Sequence, residues 1–413
     1  MPRPDLIWGE AFFAGSLAQL LARLSGLPGV VLLLAVGLVM GRAGLNLVAP
    51  EALGDGLEPV VLLLVSLILF DGGLNLRLAG RDLQRAVLRL VLVRSLLGLL
   101  GAAVLAHGLA GLSWSLAWVF GAIALATGPT VVNPLVHQIR LKQPLGEVLE
   151  AEGLILEPFS AVLALLLLQL ALGDLDRWQE VTQLLALRFG GGLALGAASG
   201  WLLAALLRRL PTPSPALTLQ LSLGMLFLLV SGAEHLLPEA GLPAAVSAGV
   251  VLGLLLGDEQ TGPLDELMAQ LAQLAITVLF PLLAADVSWP ELSPLGLGGV
   301  LTVLALMAYR LLVMQLGALG MVGFGWREKL IVGWIAPRGI VTAAIASLFA
   351  LRLNGAGLHG GGALKGLVFL TILLTVGIQG FTAPLLAQRL GLVDDPADAT
   401  AAVAGAEPVQ APG

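Results

Sequence analysis

Residues 146–172 read GEVLEAEGLILEPFSAVLALLLLQLAL, twenty-seven residues in which Glu157 is the only charge after Glu152. Wound as a helix, such a run is about 40 Å long, more than the ~30 Å hydrocarbon core of a bilayer. From Pro158 onward it is apolar on every face apart from Ser160 and Gln169, with no strand-like alternation. This is the pattern of a membrane span, and it carries two carboxylates where a span ordinarily carries none.

Working outward, the whole chain has the same character. It has 413 residues, 58% hydrophobic and 12% charged, against about 25% charged in a typical soluble domain. Mean hydropathy is +0.96. The apolar excess comes in blocks long enough to cross a bilayer as helices, which satisfy their own backbone groups. A transmembrane β-barrel would show short alternating segments instead. The fold class is therefore all-α and polytopic. There is no cysteine, which excludes disulfide frameworks and thiolate metal sites. No basic run suits nucleic acid. The N-terminus, with Arg3 as its only base and with Asp5 and Glu10 interrupting the apolar stretch, does not read as a cleavable signal.

Thirteen hydrophobic segments are expected, at about 6–24, 29–46, 58–77, 86–108, 115–137, 146–172, 183–207, 216–236, 243–257, 264–285, 297–320, 329–351 and 363–389. The first is diluted by Glu10, Gln19 and Arg23, so it reads either as a span or as an interfacial helix. The ninth is short enough to be tilted or half-inserted. The Ala/Asp/Pro-rich tail, 391–413, reads as a disordered cytoplasmic extension. With the N-terminus outside, twelve Lys and Arg fall on inner loops and five (Arg3, Arg42, Arg177, Arg352 and Lys365) on outer ones. That is the positive-inside bias, and it places the C-terminus in the cytoplasm of a prokaryotic inner membrane.

Ionisable residues inside spans are functional hypotheses by default. Asp71, Arg94, Glu150, Glu152, Glu157, Arg188, Arg310 and Arg338 form that group. Arg94 and Arg188 are close enough to span ends to snorkel. Glu150 lies near the inner surface. Glu157 lies roughly 16 Å deep and Glu152 roughly 9 Å, and they are separated by roughly 140° around the helix. The two carboxylates therefore face different neighbours.

Two further segments are interrupted at comparable depth, by Thr127-Gly128-Pro129 and by Pro337-Arg338-Gly339. Proline removes a helical hydrogen bond and glycine tolerates the bend. Paired interruptions in two halves of a membrane protein suggest discontinuous helices crossing at a midplane site, with half-helix ends and freed carbonyls facing a cation. Arg338 keeps its proton and needs a carboxylate. Glu152 is at a suitable depth and is expected to pair with it. That leaves Glu157 unpaired, free to hold either a proton or a cation. Competition of that kind for one group is the minimum machinery of an antiporter.

Thr127-Gly128-Pro129, the run Glu152-Gly153-Leu154-Ile155-Leu156-Glu157-Pro158, and Ala336-Pro337-Arg338-Gly339-Ile340-Val341 together resemble the sodium/proton exchanger-type cation:proton antiporters, in particular their prokaryotic NhaP-like branch. Phe70-Asp71-Gly72-Gly73-Leu74, the run from Phe280 to Asp286, the Gly37 to Gly41 segment and Arg310 are similar to that family too. The resemblance covers about 29–390. It implies thirteen helices, inverted repeats with two broken crossing helices, a homodimer and no cofactor. A moving core would comprise 83–172 and 297–390, and a dimerisation scaffold 1–82 and 173–296. Glu152 would pair with Arg338, and Glu157 would bind cation and proton, with Thr127, Ser160 and Asp71 as further ligand candidates. The residues depart from the family's common pattern at Gly128, Gly153, Leu156 and Glu157, where aspartate, serine, asparagine and aspartate are usual. With fewer side-chain oxygens, Thr127, Ser160 and backbone carbonyls must supply more of the cation's shell. Sodium and potassium both stay open. Asp71 is an extra ligand, a funnel residue or a charge in a hydrated interface.

The sequence thus points to a non-enzymatic antiporter that exchanges a monovalent cation for one proton, the electroneutral arrangement expected of a single exchangeable carboxylate. The alternative is an organic-anion symporter with broken helices. Such a protein would need free central bases, and the expected Glu152–Arg338 pair counts against it. No repeated filter-like loop supports a channel. His107, His137, His235 and His359 fall near span ends or loops, so they suggest no metal motif.

Overall fold

The computed structural model describes residues 4–76, 81–210, 214–319 and 324–394. Arg3, Arg77 and the tail beyond 394 lie outside the described residues. The helices in chain order are α1 (Pro4–Ser25), α2 (Gly29–Met40), α3 (Leu57–Asn75), α4 (Arg81–Val93), α5 (Leu99–Gly108), α6 (Trp114–Ile123), α7 (Pro129–Ile139), α8 (Leu145–Leu172) and α9 (Trp178–Arg209). They continue with α10 (Pro215–Leu236), α11 (Gly241–Leu256), α12 (Asp258–Ala284), the short α13 (Trp289–Leu292), α14 (Gly296–Gly317), α15 (Trp326–Trp334), α16 (Ile340–Gly355) and α17 (Gly361–Leu390). Each of the thirteen expected segments falls on one helix or on an interrupted pair. The fourth is α4 and α5 joined by a π turn at Arg94–Gly98. The fifth is α6 and α7, and the twelfth is α15 and α16.

Among the described residues, eight helices are long and apolar enough to cross a bilayer. Shorter apolar stretches are α2, α6, α11 and most of α16. Two of these are halves of interrupted segments. The expected span 29–46 stops early because the chain turns back after Met40, whose carbonyl accepts from the amides of Leu47 and Val48. The outer surface is the reverse of a soluble protein's. Leu297, Leu24, Leu254 and Leu228 are each more than 70% exposed, which is stable only against lipid. In α1, Ile7, Ala11, Ala14, Ala18 and Ala22 are buried at helical spacing while Phe13, Leu17 and Leu24 face outward.

Two packing neighbourhoods emerge. In one, α11 lies between α9 and α3, with α10 and α12 alongside and α1 and α2 against α12. The α9–α11 seam depends on Gly192, Gly196 and Gly200, one per turn. A Cβ on Gly196 would meet the Ala244 carbonyl oxygen at 2.1 Å. This is the small-residue packing that lets membrane helices associate by close contact. In the other neighbourhood, α8 is buried along most of its length among α4, α6 and α7, while α14, α15 and α16 gather on α17. Ser113 caps α6 by accepting from the Leu116 amide, and Pro129 begins α7, where a missing N–H does no harm.

A crossing of broken helices as the candidate transport site

The chain between α6 and α7 passes the chain between α15 and α16 at Gly128 and Gly339. The Gly128 amide donates to the Pro337 carbonyl at 3.2 Å. A Cβ on Gly128 would lie 2.3 Å from the Gly339 Cα, so the two backbones cross in contact. The N-termini of α7 and α16 start at this point, and the carbonyl ends of α6 and α15 stop at it. The expected discontinuous helices are present.

Arginines take up the freed carbonyls. Arg310 on α14 donates from Nε to the Gly333 carbonyl at 3.0 Å and from Nη2 to that of Ile335 at 3.1 Å, capping α15. Arg338 donates from Nη1 to the Ala126 carbonyl, capping α6. The cationic side chains sit where the helix dipoles are negative. Arg338 is held by Thr375 as well, whose hydroxyl accepts from its amide at 3.3 Å, and Gln379 accepts from the Ala336 amide at 3.0 Å.

This corrects the expected ion pair. Glu152 is fully buried, and it pairs with Arg94 and, at 3.3 Å, with Arg310. The Arg338 guanidinium is compensated by the carbonyls of Leu125 and Ala126 instead. Depth alone did not discriminate among the three arginines. Arg94 was expected to snorkel, but the π turn that begins at Arg94 accompanies a side chain turned inward and 5% exposed. Its Nη2 also donates to Thr127 Oγ1 at 3.1 Å, as Arg310 Nη1 does at 3.3 Å. The Thr127 hydroxyl is thus an acceptor for two guanidiniums, within the network that holds the crossing. Arg188 is buried too, donating to Gln169 Oε1 at 3.5 Å. The ground for setting aside an organic-anion substrate changes accordingly. Three central bases are present, each engaged by Glu152, Thr127 or backbone carbonyls.

Glu157 lies on the other side of α8. It is fully buried, and among the described residues neither carboxylate oxygen has a hydrogen-bond partner. A Cβ on Gly339 would approach Glu157 Oε1 to 2.9 Å and Thr130 Oγ1 to 3.1 Å. The carboxylate therefore sits at the crossing, beside the positive ends of α7 and α16, with the Thr130 hydroxyl also unpartnered. Ser160 is buried one turn on, its hydroxyl donating to the Glu157 carbonyl at 2.8 Å with its lone pairs left over. Thr130 was not singled out from the sequence. Its signal was its place immediately after Pro129, in the first turn of a half-helix that starts at the site. Asp71 on α3 is half-buried, accepts from Asn75 Nδ2 at 3.2 Å and feels the charge of Asp265 on α12.

A cavity of about 330 Å³ leads toward the crossing between the two packing neighbourhoods. Gln19, Arg23 and Gln273 line one side, and Val131, Gln138 and Pro337 the other.

Crossed half-helices, a buried carboxylate at their meeting point and a cavity that Pro337 lines beside them are the parts of a secondary transporter. The chain matches the family described as sodium/hydrogen exchanger, transmembrane, over residues 11–389, and it belongs to that family of cation:proton antiporters. It is 25% identical to the Na(+)/H(+) antiporter ApNhaP of Aphanothece halophytica over 399 residues, covering 92% of this chain and 73% of the relative. It is 26% identical to the K(+)/H(+) antiporter NhaP2 of Shewanella sp. (strain MR-4), spanning 90% of this chain but only 64% of that one. The fold is shared with the sodium proton antiporter MjNhaP1 from Methanocaldococcus jannaschii, with a TM-score of 0.82 at 24% identity, covering 94% of this chain and 98% of that one.

Proposed function

We propose that this chain exchanges one monovalent cation, sodium or potassium, for one proton, with Glu157 binding the two in competition. The observation that carries the reading is the fully buried Glu157 carboxylate, which has no protein partner at the meeting point of two half-helix N-termini. Bound to a proton or to a cation, the group crosses the barrier neutral. A bare carboxylate would meet a large desolvation cost. One exchangeable carboxylate makes the cycle electroneutral. Ser160 and Thr130 are the hydroxyls nearest in the fold to serve the cation. Asp71 stands off on α3 as an outlying ligand or approach residue. Glu152, Arg94 and Arg310 hold the crossing in shape.

The two packing neighbourhoods support a division into a scaffold, 1–82 and 173–296, and a moving core, 83–172 and 297–390. Alternating access follows from motion of one against the other. The positive-inside bias supports an N-terminus outside and a C-terminus in the cytoplasm, so the cavity faces inward. The apolar outer faces of the scaffold helices suit a homodimer in the membrane.

The test is dissipation of a pH gradient in proteoliposomes on adding sodium or potassium salts, with wild type beside Glu157→Gln. Cation-dependent dissipation that disappears in the variant supports the assignment. Activity persisting in a correctly folded Glu157→Gln sinks it and moves attention to Asp71.

A further inference from the structure

The helices that wall the inner cavity are joined at their opposite ends by a buried ionic cluster. Helix α12 contributes Gln273 and Ile276 to the cavity, and α17 contributes Val376 and Gly380. Roughly 20 Å further along each helix the walls close on one another. Lys365 at the start of α17 meets Asp286, just beyond α12, at 3.0 Å, and Glu291 of α13 at 3.0 Å. Ser347 of α16 donates to the same Asp286 carboxylate at 2.6 Å. Lys365 is 6% exposed and Asp286 8% exposed. In the sequence Lys365 counts as an outer-loop charge. In the fold it is a buried cation with two acidic partners.

We propose that Asp286, Lys365 and Ser347 form an outer latch, holding scaffold and core together on the side away from the open cavity. This rests on the antiport reading and on the domain division above. Asp286 stands on the scaffold side, where the Ala285 carbonyl accepts from the Arg42 amide. Lys365 and Ser347 stand on core helices. Glu291 explains how the latch can open, because α13 lies in the stretch that links scaffold to core and packs on α17. Its backbone packs on α17, such that a Cβ on Gly366 would meet the Glu291 carbonyl at 2.2 Å. When α17 leaves Asp286, Lys365 keeps Glu291 as its counter-charge. The cost of breaking a buried ion pair then falls on Asp286 alone. The latch therefore gives the inward-open form a bias that transport can overcome.

The chain contains no cysteine, so site-directed thiols report cleanly. Asp286→Cys and Ser347→Cys are combined and tethered with a short reducible bis-thiosulfonate, and cation-driven dissipation of the pH gradient is followed. Tethering should slow transport at least about tenfold, with recovery on reduction and no effect of reagent on either single variant. Unaltered transport in the tethered chain overturns the latch. In a second measurement, Lys365→Met is combined with Gln138→Cys in the inner cavity. Thiol labelling there should slow as the outward-open form gains population, and an unchanged rate overturns the proposal. Labelling reads conformation without transport. A wild type that moves no cation would therefore undo the antiport reading and leave the latch to be judged on the labelling alone.

Discussion

Gly128 and Gly339 occupy each other's side-chain space. A Cβ on Gly128 would sit 2.3 Å from the Gly339 Cα, and one on Gly339 would sit 2.7 Å from the Gly128 Cα. The obstruction is backbone on both sides, so rotamer changes cannot relieve it. Gly128→Ala is expected to destabilise the chain by about 1–3 kcal/mol and to cut transport further, by separating the half-helices that bracket Glu157. Thermal unfolding in detergent and initial transport rates check the two effects separately.

Glu152 pairs with two guanidiniums at once. Glu152→Ala leaves Arg94 and Arg310 buried without their carboxylate, and a loss of about 3–5 kcal/mol is expected. Adding Arg94→Met should restore part of it, because an apolar side chain removes one stranded charge. A double variant no more stable than Glu152→Ala would show that the Arg94 pair is incidental. Both are read by unfolding temperature.

Thr127 and Thr130 separate structure from binding. Thr127 accepts from two arginines, whereas Thr130 has no protein partner. Thr130→Val should keep the unfolding temperature and raise the apparent KM for the cation by about tenfold, the worth of one polar contact. Thr127→Val should instead lower the unfolding temperature. Equal KM values for Thr130→Val and wild type would remove Thr130 from the cation's shell.

Outside the spans, Glu239 carries a pH signature. Burial, reinforced by the Glu234 carboxylate, pushes it up to about 8, while Arg352 and Arg188 pull the other way and Glu58 adds to the rise. Unfolded, the same carboxyl titrates near 4.3. Between those values the folded chain holds a proton that the unfolded chain releases, so the Glu239 contribution to stability falls as pH rises from about 4.3 through about 8. Glu239→Gln should match wild type near pH 4 and exceed it above pH 8. Unfolding temperatures across that range give the answer, and parallel curves would exclude the effect.

Much of this was legible in the sequence because it depends on length and on punctuation. Apolar runs fixed the helices, and Pro129 and Pro337 with their glycines marked both interruptions. The roughly 140° between Glu152 and Glu157 set them against different neighbours, and in the fold Glu152 meets Arg94 and Arg310 while Glu157 faces the crossing. The identity of the arginine partner was hidden. Arg94, Arg310 and Arg338 all lie deep, and a linear depth scale cannot say which way a side chain turns. A π turn in α4–α5 decides it for Arg94, and no residue in Arg94–Gly98 announces one. The use of the freed carbonyls was hidden for the same reason, since capping by Arg310 and Arg338 is a matter of azimuth between helices far apart in sequence.

The occupation of those carbonyls by arginine has a consequence for ion choice. On the proposed reading, with Ala126, Gly333 and Ile335 already accepting hydrogen bonds, an arriving alkali ion would meet one carboxylate and a few hydroxyls, well short of a closed oxygen cage. It would keep much of its own hydration water. Such a site would respond to valence more than to ionic radius.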